Sequence, residues 1–214
     1  VVTDAAGNAS PPSSAFELTI KPVADPISGL VVTDNVDPVQ GTLANGALTN
    51  DMTPTFSGNA AANSTIAVYD NGVLLASVNA DGDGKWSFTP SPALGEGEHN
   101  VTFTVDSGSG PSAPSLPFVL TVDTTVPEPV TNLVIVDDKA PVIGQLTSGS
   151  VTNDSTPIIS GQAEPGAAVT LYDGTRVLGS VSVGSDGEWG FIPSTRLSEG
   201  VHTITATVTD AAGN

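Results

Sequence analysis

The sequence predicts an all-β chain of short-stranded sandwiches in tandem, and three observations predict it. Gly (23) and Pro (17) are plentiful among the 214 residues, while Ser, Thr and Val recur throughout. That mix suits short strands and tight turns rather than helices. Apolar residues alternate with polar ones in many short runs, so each strand buries one face. The chain also repeats itself, which points to an array of similar units. NDMTPTFSG at residues 50–58 returns as NDSTPIISG at 153–161, and DGKWSFTPS at 83–91 returns as DGEWGFIPS at 186–194. Trp86 matches Trp189, Tyr69 matches Tyr172 and His99 matches His202, each 103 residues on. The phrase VTDAAGN stands at 2–8 and again at 208–214, a spacing of 206, or twice 103.

One period reads as seven strands. Strand A covers about residues 30–33, and a long Gly/Asn-rich connection leads to strand B near 53–58. Strand C, about 65–69, places Ile66 and Val68 on one face. The Asp70-Asn71-Gly72 triplet is a strong hairpin turn into strand D at about 73–78. A DGDG turn then leads to strand E, with Trp86 and Phe88 inward. Strand F alternates Val101, Phe103 and Val105 with Thr, and strand G carries Phe118, Leu120 and Val122. Seven short strands in about 100 residues describe a two-sheet sandwich of immunoglobulin-like layout. The antibody type is excluded, since there is no Cys pair and Trp lies on strand E. The reading divides the chain in three: residues 1–24 (F–G loop and strand G of a preceding repeat, plus linker), 25–124 (a complete repeat) and 125–214 (a repeat without its last strand).

The formal charge is −18, from 23 acidic against 5 basic residues. No basic footprint exists for nucleic acid, and no run of about 18 apolar residues exists to insert in a membrane. Asp outnumbers Glu by 16 to 7, and Asp favours turns and metal loops. With no cysteine in the chain, disulfides and thiolate zinc sites are excluded, and metal clips become one route to stability outside the cell.

Alternating strand directions fix two poles for each repeat. The A–B, C–D and E–F loops share the trailing pole with the outgoing linker. The B–C, D–E and F–G loops share the leading pole. At the trailing pole of the first repeat lie Asp34, Asp37, Asp51 and the linker residue Asp123; the second has Asp137, Asp138 and Asp154. At the leading pole lie Asp81, Asp83 and Asp106, with Asp186 and Asp210 as counterparts in the second repeat. Stacked end to end, Asp123 faces Asp210, with Asp186 a further neighbour. Two like charges 4 Å apart repel by about 4 kcal/mol at an effective dielectric of 20, so such groups call for a cation. Oxygen-only ligands suit Ca²⁺, and Asp34, Asp37, Asp51, Asp106, Asp123, Asp137, Asp138, Asp154, Asp186 and Asp210 are its expected ligands. The DGDG turn, Asp70 and Asp173 read as structural.

No catalytic constellation emerges. His99 and His202 occupy one repeat position without a nucleophile partner and read as hydrogen-bonding groups of strand F. Trp86 and Trp189 read as core rather than sugar platforms.

The phrases TVDTTVPEPV, TNDSTPIISGQAEPGAAVTLYDG and GEWGFIPSTRLSEGVHTITATVTDAAGN together resemble the bacterial immunoglobulin-like repeats of giant Gram-negative surface adhesins. These include the non-fimbrial, biofilm-associated and type I-secreted kinds. The resemblance implies an extracellular tandem array with calcium at repeat junctions, where Asp123 and Asp210 are the expected residues. The first linker departs from the pattern, with Lys21 in the place of Asp123; that junction is expected to bind calcium more weakly. The function expected is a spacer: a calcium-stiffened rod that projects an adhesive region. The alternatives are a glycan- or receptor-binding module and an accessory domain of a secreted enzyme. Expected partners are neighbouring repeats and, between chains, a strand donated head to tail from residues 9–20.

Overall fold

The computed structural model describes residues 1, 5–12, 14, 15, 17 and 26–214. Every regular element among them is a strand. The first repeat contains β1 (Ser28–Asp34), β2 (Gly41–Thr42), β3 (Ala47–Thr49), β4 (Thr55–Asn59), β5 (Thr65–Asp70), β6 (Val73–Asn79), β7 (Lys85–Phe88), β8 (Gly97–Asp106) and β9 (Phe118–Val122). The second contains β10 (Thr131–Asp137), β11 (Gly144–Leu146), β12 (Ile158–Gln162), β13 (Ala168–Asp173), β14 (Arg176–Ser182), β15 (Glu188–Phe191) and β16 (Ile204–Thr209).

Each repeat is a two-sheet sandwich. In the first, one sheet runs β2-β1-β4-β7 and the other β3-β9-β8-β5-β6. The Asp70-Asn71-Gly72 turn keeps β6 beside β5, so strand D stays on the C–F–G sheet. Asn71 and Gly72 both have positive φ, which a two-residue hairpin of this kind requires. The chain crosses between sheets at the B–C, D–E and E–F connections, and neighbouring strands remain antiparallel except β3, which runs parallel to β9. The two poles of the sequence reading therefore hold.

The alternation seen in the sequence becomes the core. Phe56, Ile66, Val68, Val101, Phe103, Val105, Leu120 and Val122 are buried together. Each such side chain contributes about 1.5–3 kcal/mol relative to exposure. Trp86 on β7 lies against Phe103, with ring centroids 5.2 Å apart, and across β4 at Gly58. A Cβ on Gly58 would stand 3.2 Å from the indole, and one on Gly161 would stand 2.9 Å from Trp189. The shared Ser-Gly of strand B exists for this crossing.

Two elements were not expected. Strands β2 and β3 arise inside the A–B connection, where Ala47, Leu48 and Thr49 pair in parallel with Leu120, Thr121 and Val122. The second repeat differs at the same place. No strand pairs with the outer side of β16 among the described residues. Residues 150–152, the counterparts of β3, are not a strand. Residues 200–203, the counterparts of the first half of β8, are not one either. In the first repeat both segments are held by β9, and among the described residues no strand takes that place in the second. Val151 and Val201 are accordingly 98% and 97% exposed. The expected strand around Phe16, Leu18 and Ile20 lies outside the described residues.

One expected outcome follows from the topology. A chain extended after Asn214 by a second copy of residues 9–20 should recruit residues 200–203 into β16. Amide exchange there should slow, and the second repeat should melt at least about 4 °C higher, the shift that about 1 kcal/mol produces in a domain this size. Unchanged exchange at residues 200–203 would contradict it.

Candidate functional site

The phrase TNDxTP, at residues 49–54 and 152–157, builds the trailing pole. Asp34 ends β1 and Asp51 precedes β4, and both are buried, at 2% and 0% exposure. Thr49 joins them: its hydroxyl donates to Asp34 Oδ2 at 2.5 Å and accepts the Asp51 backbone N–H at 3.0 Å. Asp34 Oδ1 takes the Val36 N–H at 2.8 Å. Asp51 Oδ2 takes the Asn35 N–H at 3.1 Å, and its Oδ1 takes the N–H and hydroxyl of Thr53 at 2.7 and 3.1 Å. The second repeat copies this network. Thr152 donates to Asp137 Oδ2 at 2.6 Å and accepts the Asp154 N–H at 2.9 Å. Lys139 N–H caps Asp137 Oδ1 at 2.8 Å, and Asp138 and Thr156 supply N–H groups to Asp154 at 3.3 and 2.9 Å. Thr49 ends β3, paired with Val122 of β9, and is buried, whereas Thr152 is exposed.

The expected acidic trios are therefore pairs. Asp37 is exposed and accepts the Gln40 amide at 3.1 Å. Asp138 is exposed and paired with the Lys139 ammonium. Among the described residues no three His, Asp or Glu side chains gather closely enough to hold a metal. Donors from the chain itself reach every oxygen of the buried carboxylates.

The junction brings Asp123 and Asp210 together through one residue that the sequence reading passed over. The Asn214 amide donates to the Asp123 carbonyl and to Asp210 Oδ2, at 2.8 and 2.9 Å. Asp210 Oδ1 gathers the N–H groups of Ala212, Gly213 and Asn214 at 2.8–2.9 Å. Asn50, inside TNDxTP, reaches across from the first repeat. Its backbone N–H donates to the Ala212 carbonyl at 3.1 Å and its amide to the Gly213 carbonyl at 3.2 Å. On the linker, Asp123 Oδ1 accepts the Thr125 N–H at 2.9 Å. Glu96 of the E–F loop holds the N–H and hydroxyl of Thr124. The signal for Asn50 was available: Asn precedes the buried Asp in both copies of the motif.

Asp186 lies elsewhere at the leading pole, where it lines an open groove with Glu128, Gln162 and Glu164. Asp106 is offset by one residue from Asp210. It pairs across from Thr65, whereas the counterpart Ala168 pairs with Thr209. It nonetheless organises its own loop, taking the N–H groups of Gly108 and Gly110 at 2.7 and 3.1 Å. Asp81 likewise closes the D–E turn on the N–H groups of Asp83 and Lys85.

Both histidines are tied at both ring nitrogens. His99 Nδ1 meets Asp70 at 2.7 Å and Nε2 meets the Gly95 carbonyl at 2.9 Å. His202 does the same with Asp173 at 2.7 Å and the Ser198 carbonyl at 2.8 Å. The Ser198 carbonyl and the Asp173 carboxylate raise the His202 pKa above its usual 6.5. The hydrogen bond from His202 holds Asp173 below its usual 3.8. At Asp210 burial pushes upward, but the Asn214 amide and three backbone N–H groups outweigh it, so its pKa falls below 3.8.

Two sandwiches of immunoglobulin type, set pole to pole and clasped by hydrogen bonds, define a modular tandem-domain protein. No helix among the described residues is long and apolar enough to cross a membrane. The chain belongs to the bacterial Ig-like domain family, whose model matches residues 30–124 and again 126–214. No curated protein matches it. Among solved structures, a biofilm-associated protein BSP domain aligns at 21% identity and a TM-score of 0.28, over 77% of this chain. The chain spans 26% of that structure's length. Fibronectin(III)-like modules of Clostridium thermocellum CbhA align at 16% identity and a TM-score of 0.46, over 86% of this chain and 87% of theirs. The human OSCAR ligand-binding domain aligns at 12% identity and a TM-score of 0.31, over 77% of this chain and 92% of its own.

Two outcomes are expected at these sites. Asp51→Ala removes the charged acceptor of the Asn35 N–H and of the Thr53 N–H and hydroxyl, and a hydrogen bond to a charged group contributes about 1.5–3 kcal/mol. Urea unfolding of the first repeat should show a loss of about 2–4 kcal/mol on that basis, with chelator present throughout. A loss below 0.5 kcal/mol, the scatter of ordinary surface changes of about that size, would refute the network's role. The second outcome concerns pH. Since His202 gains protons on folding, its contribution is full below about pH 6.5 and fades as pH rises through its raised value. Asp210 behaves oppositely: its contribution is full above about pH 3.8 and fades only as pH falls through its lowered value. In an NMR titration the amides of Ser198 and Thr203 should move on the alkaline side of pH 6.5. Those of Ala212, Gly213 and Asn214 should hold until below pH 3.8.

Proposed function

We propose that this chain is a segment of an extracellular bacterial surface protein of the adhesin kind, in which the repeats act as a spacer rod and calcium neutralises the acidic junction. The observation that carries the reading is the junction itself. Asn50 and Asn214 join the trailing pole, the linker and the next F–G loop into one polar contact, which restricts bending between repeats. The alternative of a glycan platform lacks support. Every Phe, Tyr and Trp among the described residues is buried or half-buried, leaving no exposed ring for a sugar. With both ring nitrogens of each histidine engaged, neither imidazole is placed as a base, and the reading is non-enzymatic.

The junction differs from the buried pairs in keeping one buried acceptor, Asn50 Oδ1, open, although both Asp210 oxygens already take donors as those of the pairs do. Asp123 and Asp210 carry oxygen donors there, main-chain carbonyls converge on the same contact, and buried Asn50 Oδ1 has no hydrogen-bond partner. Asp123, Asp210 and Asn50 would hold the ion, which would supply charge neutralisation at the linker. The A–B carboxylates already accept donors on all four oxygens.

Thermal unfolding with millimolar Ca²⁺ against chelator tests the cation. A site filled to 100 times its Kd contributes about 2.7 kcal/mol, so melting should rise by several degrees, and small-angle scattering should give an elongated particle that lengthens with Ca²⁺. Identical melting curves, with no heat of calcium binding in calorimetry, would remove calcium from the proposal. A compact scattering profile in both conditions would remove the rod.

A further inference from the structure

The trailing pole of the first repeat carries a loop of the second. Ala212 is only 2% exposed there, between the Asn50 backbone and its amide. Gly213 has a φ of +102°, a conformation that disfavours side chains. A Cβ on it would meet Val39 at 3.4 Å and the Asn50 amide at 3.4 Å. The contact thus reads three features of its partner: two carbonyls, a glycine with positive φ against valine, and an Asn that reaches back to the linker.

The second repeat presents the same pole. Asn153 precedes buried Asp154, and its amide donates to the Ala140 carbonyl at 2.9 Å, as that of Asn50 does to Asp37 at 3.3 Å. Val142 stands 103 residues after Val39 and is 72% exposed, and Ile143 beside it is 66% exposed. Among the described residues no loop lies on this pole.

Not every F–G loop suits it. Strand register places residues 107–111 against 210–214, so Ser107 stands for Asp210 and Pro111 for Asn214. Proline has no side-chain donor for a linker carbonyl. The first repeat therefore has a trailing pole that accepts the clasp and a leading loop that cannot form one.

We infer that the pole around Asn153 and Val142 is a docking surface for another immunoglobulin-like repeat, and that it accepts an Asp-Ala-Ala-Gly-Asn loop and rejects a Ser-Gly-Ser-Gly-Pro loop. The inference deepens the rod reading by naming what joins one repeat to the next, and it does not require calcium.

The test uses the full chain extended after Asn214 by a second copy of residues 112–214. This supplies the second repeat with a last strand, a linker and a following repeat bearing the Asp-Ala-Ala-Gly-Asn loop. Because the chain has no cysteine, Thr175→Cys and the same change in the added copy give two specific spin-label positions. In chelator, the distance distribution across the new junction should be narrow. Asn153→Ala should broaden it at least twofold. So should changing the added loop to Ser-Gly-Ser-Gly-Pro, which leaves Asn153 and its own repeat untouched. Variants as narrow as the parent would overturn the inference, as would a broad parent. A parent that narrows only with Ca²⁺ would also overturn it while favouring the cation reading, so the two fail separately.

Discussion

Two carboxylates lie inside each repeat where strand A gives way to strand B, and the local backbone is arranged around them. A buried carboxylate is tolerated only when donors replace the water it has lost. Asp34 and Asp51 obtain theirs from the N–H groups of residues 35, 36 and 53 and from two threonine hydroxyls. Those donors lie in a connection that would otherwise have no reason to adopt one path. Once it does, Asn50 is held at the pole, with its backbone N–H and amide directed at the next repeat. The contact between modules thus depends on a polar network within one module. The core could be repacked with other apolar residues and still be a sandwich; the network has no such freedom.

The two copies form a natural comparison. They share the Asp–Thr–Asp network and the Asp–His–carbonyl bridge, yet differ in how far strand F extends, at ten residues in β8 and six in β16. The bridge is the same in both copies because its members come from strand C, the E–F loop and the segment leading into strand F. The β3 pairing does not persist, because its only strand partner is β9. Local networks survive the change in topology and long-range pairing does not, as expected where ladder hydrogen bonds need a partner strand close by.

Much of the fold was legible in the sequence. Alternation at Val101, Phe103 and Val105, and at Ile66 and Val68, places buried faces directly, and the Asp-Asn-Gly turn sets the C–D hairpin. Strands β2 and β3 were hidden because they are two and three residues long, too short for any period to show. The candidate site was half legible. Asp34 and Asp51 stood out as acids, and like-charge repulsion suggested a cation. The donors that answer them are backbone N–H groups and threonine hydroxyls, which carry no distinctive letter in a chain rich in Thr. Asp106 and Asp210 were aligned by motif, yet the register sets them one residue apart. Asn50 and Asn214 were visible in repeated phrases, but an amide's part in a junction depends on the facing loop, which one repeat alone does not reveal.

The parallel pairing of β3 with β9 has a mechanical side. A repeat held at one end and pulled at the other takes up force near its first strand and passes it on through its last. Residues 120–122 lie in the last strand of the first repeat, and residues 47–49 run beside them in the same direction. Opposed pulls on parallel neighbours load their hydrogen bonds in shear, so the bonds must give way together rather than peel one at a time. Resistance to such loading is governed by the unfolding barrier rather than by equilibrium stability. Three residues of the A–B connection, unremarked by any periodicity, thus give the last strand of the first repeat a neighbour whose pairing loads in shear.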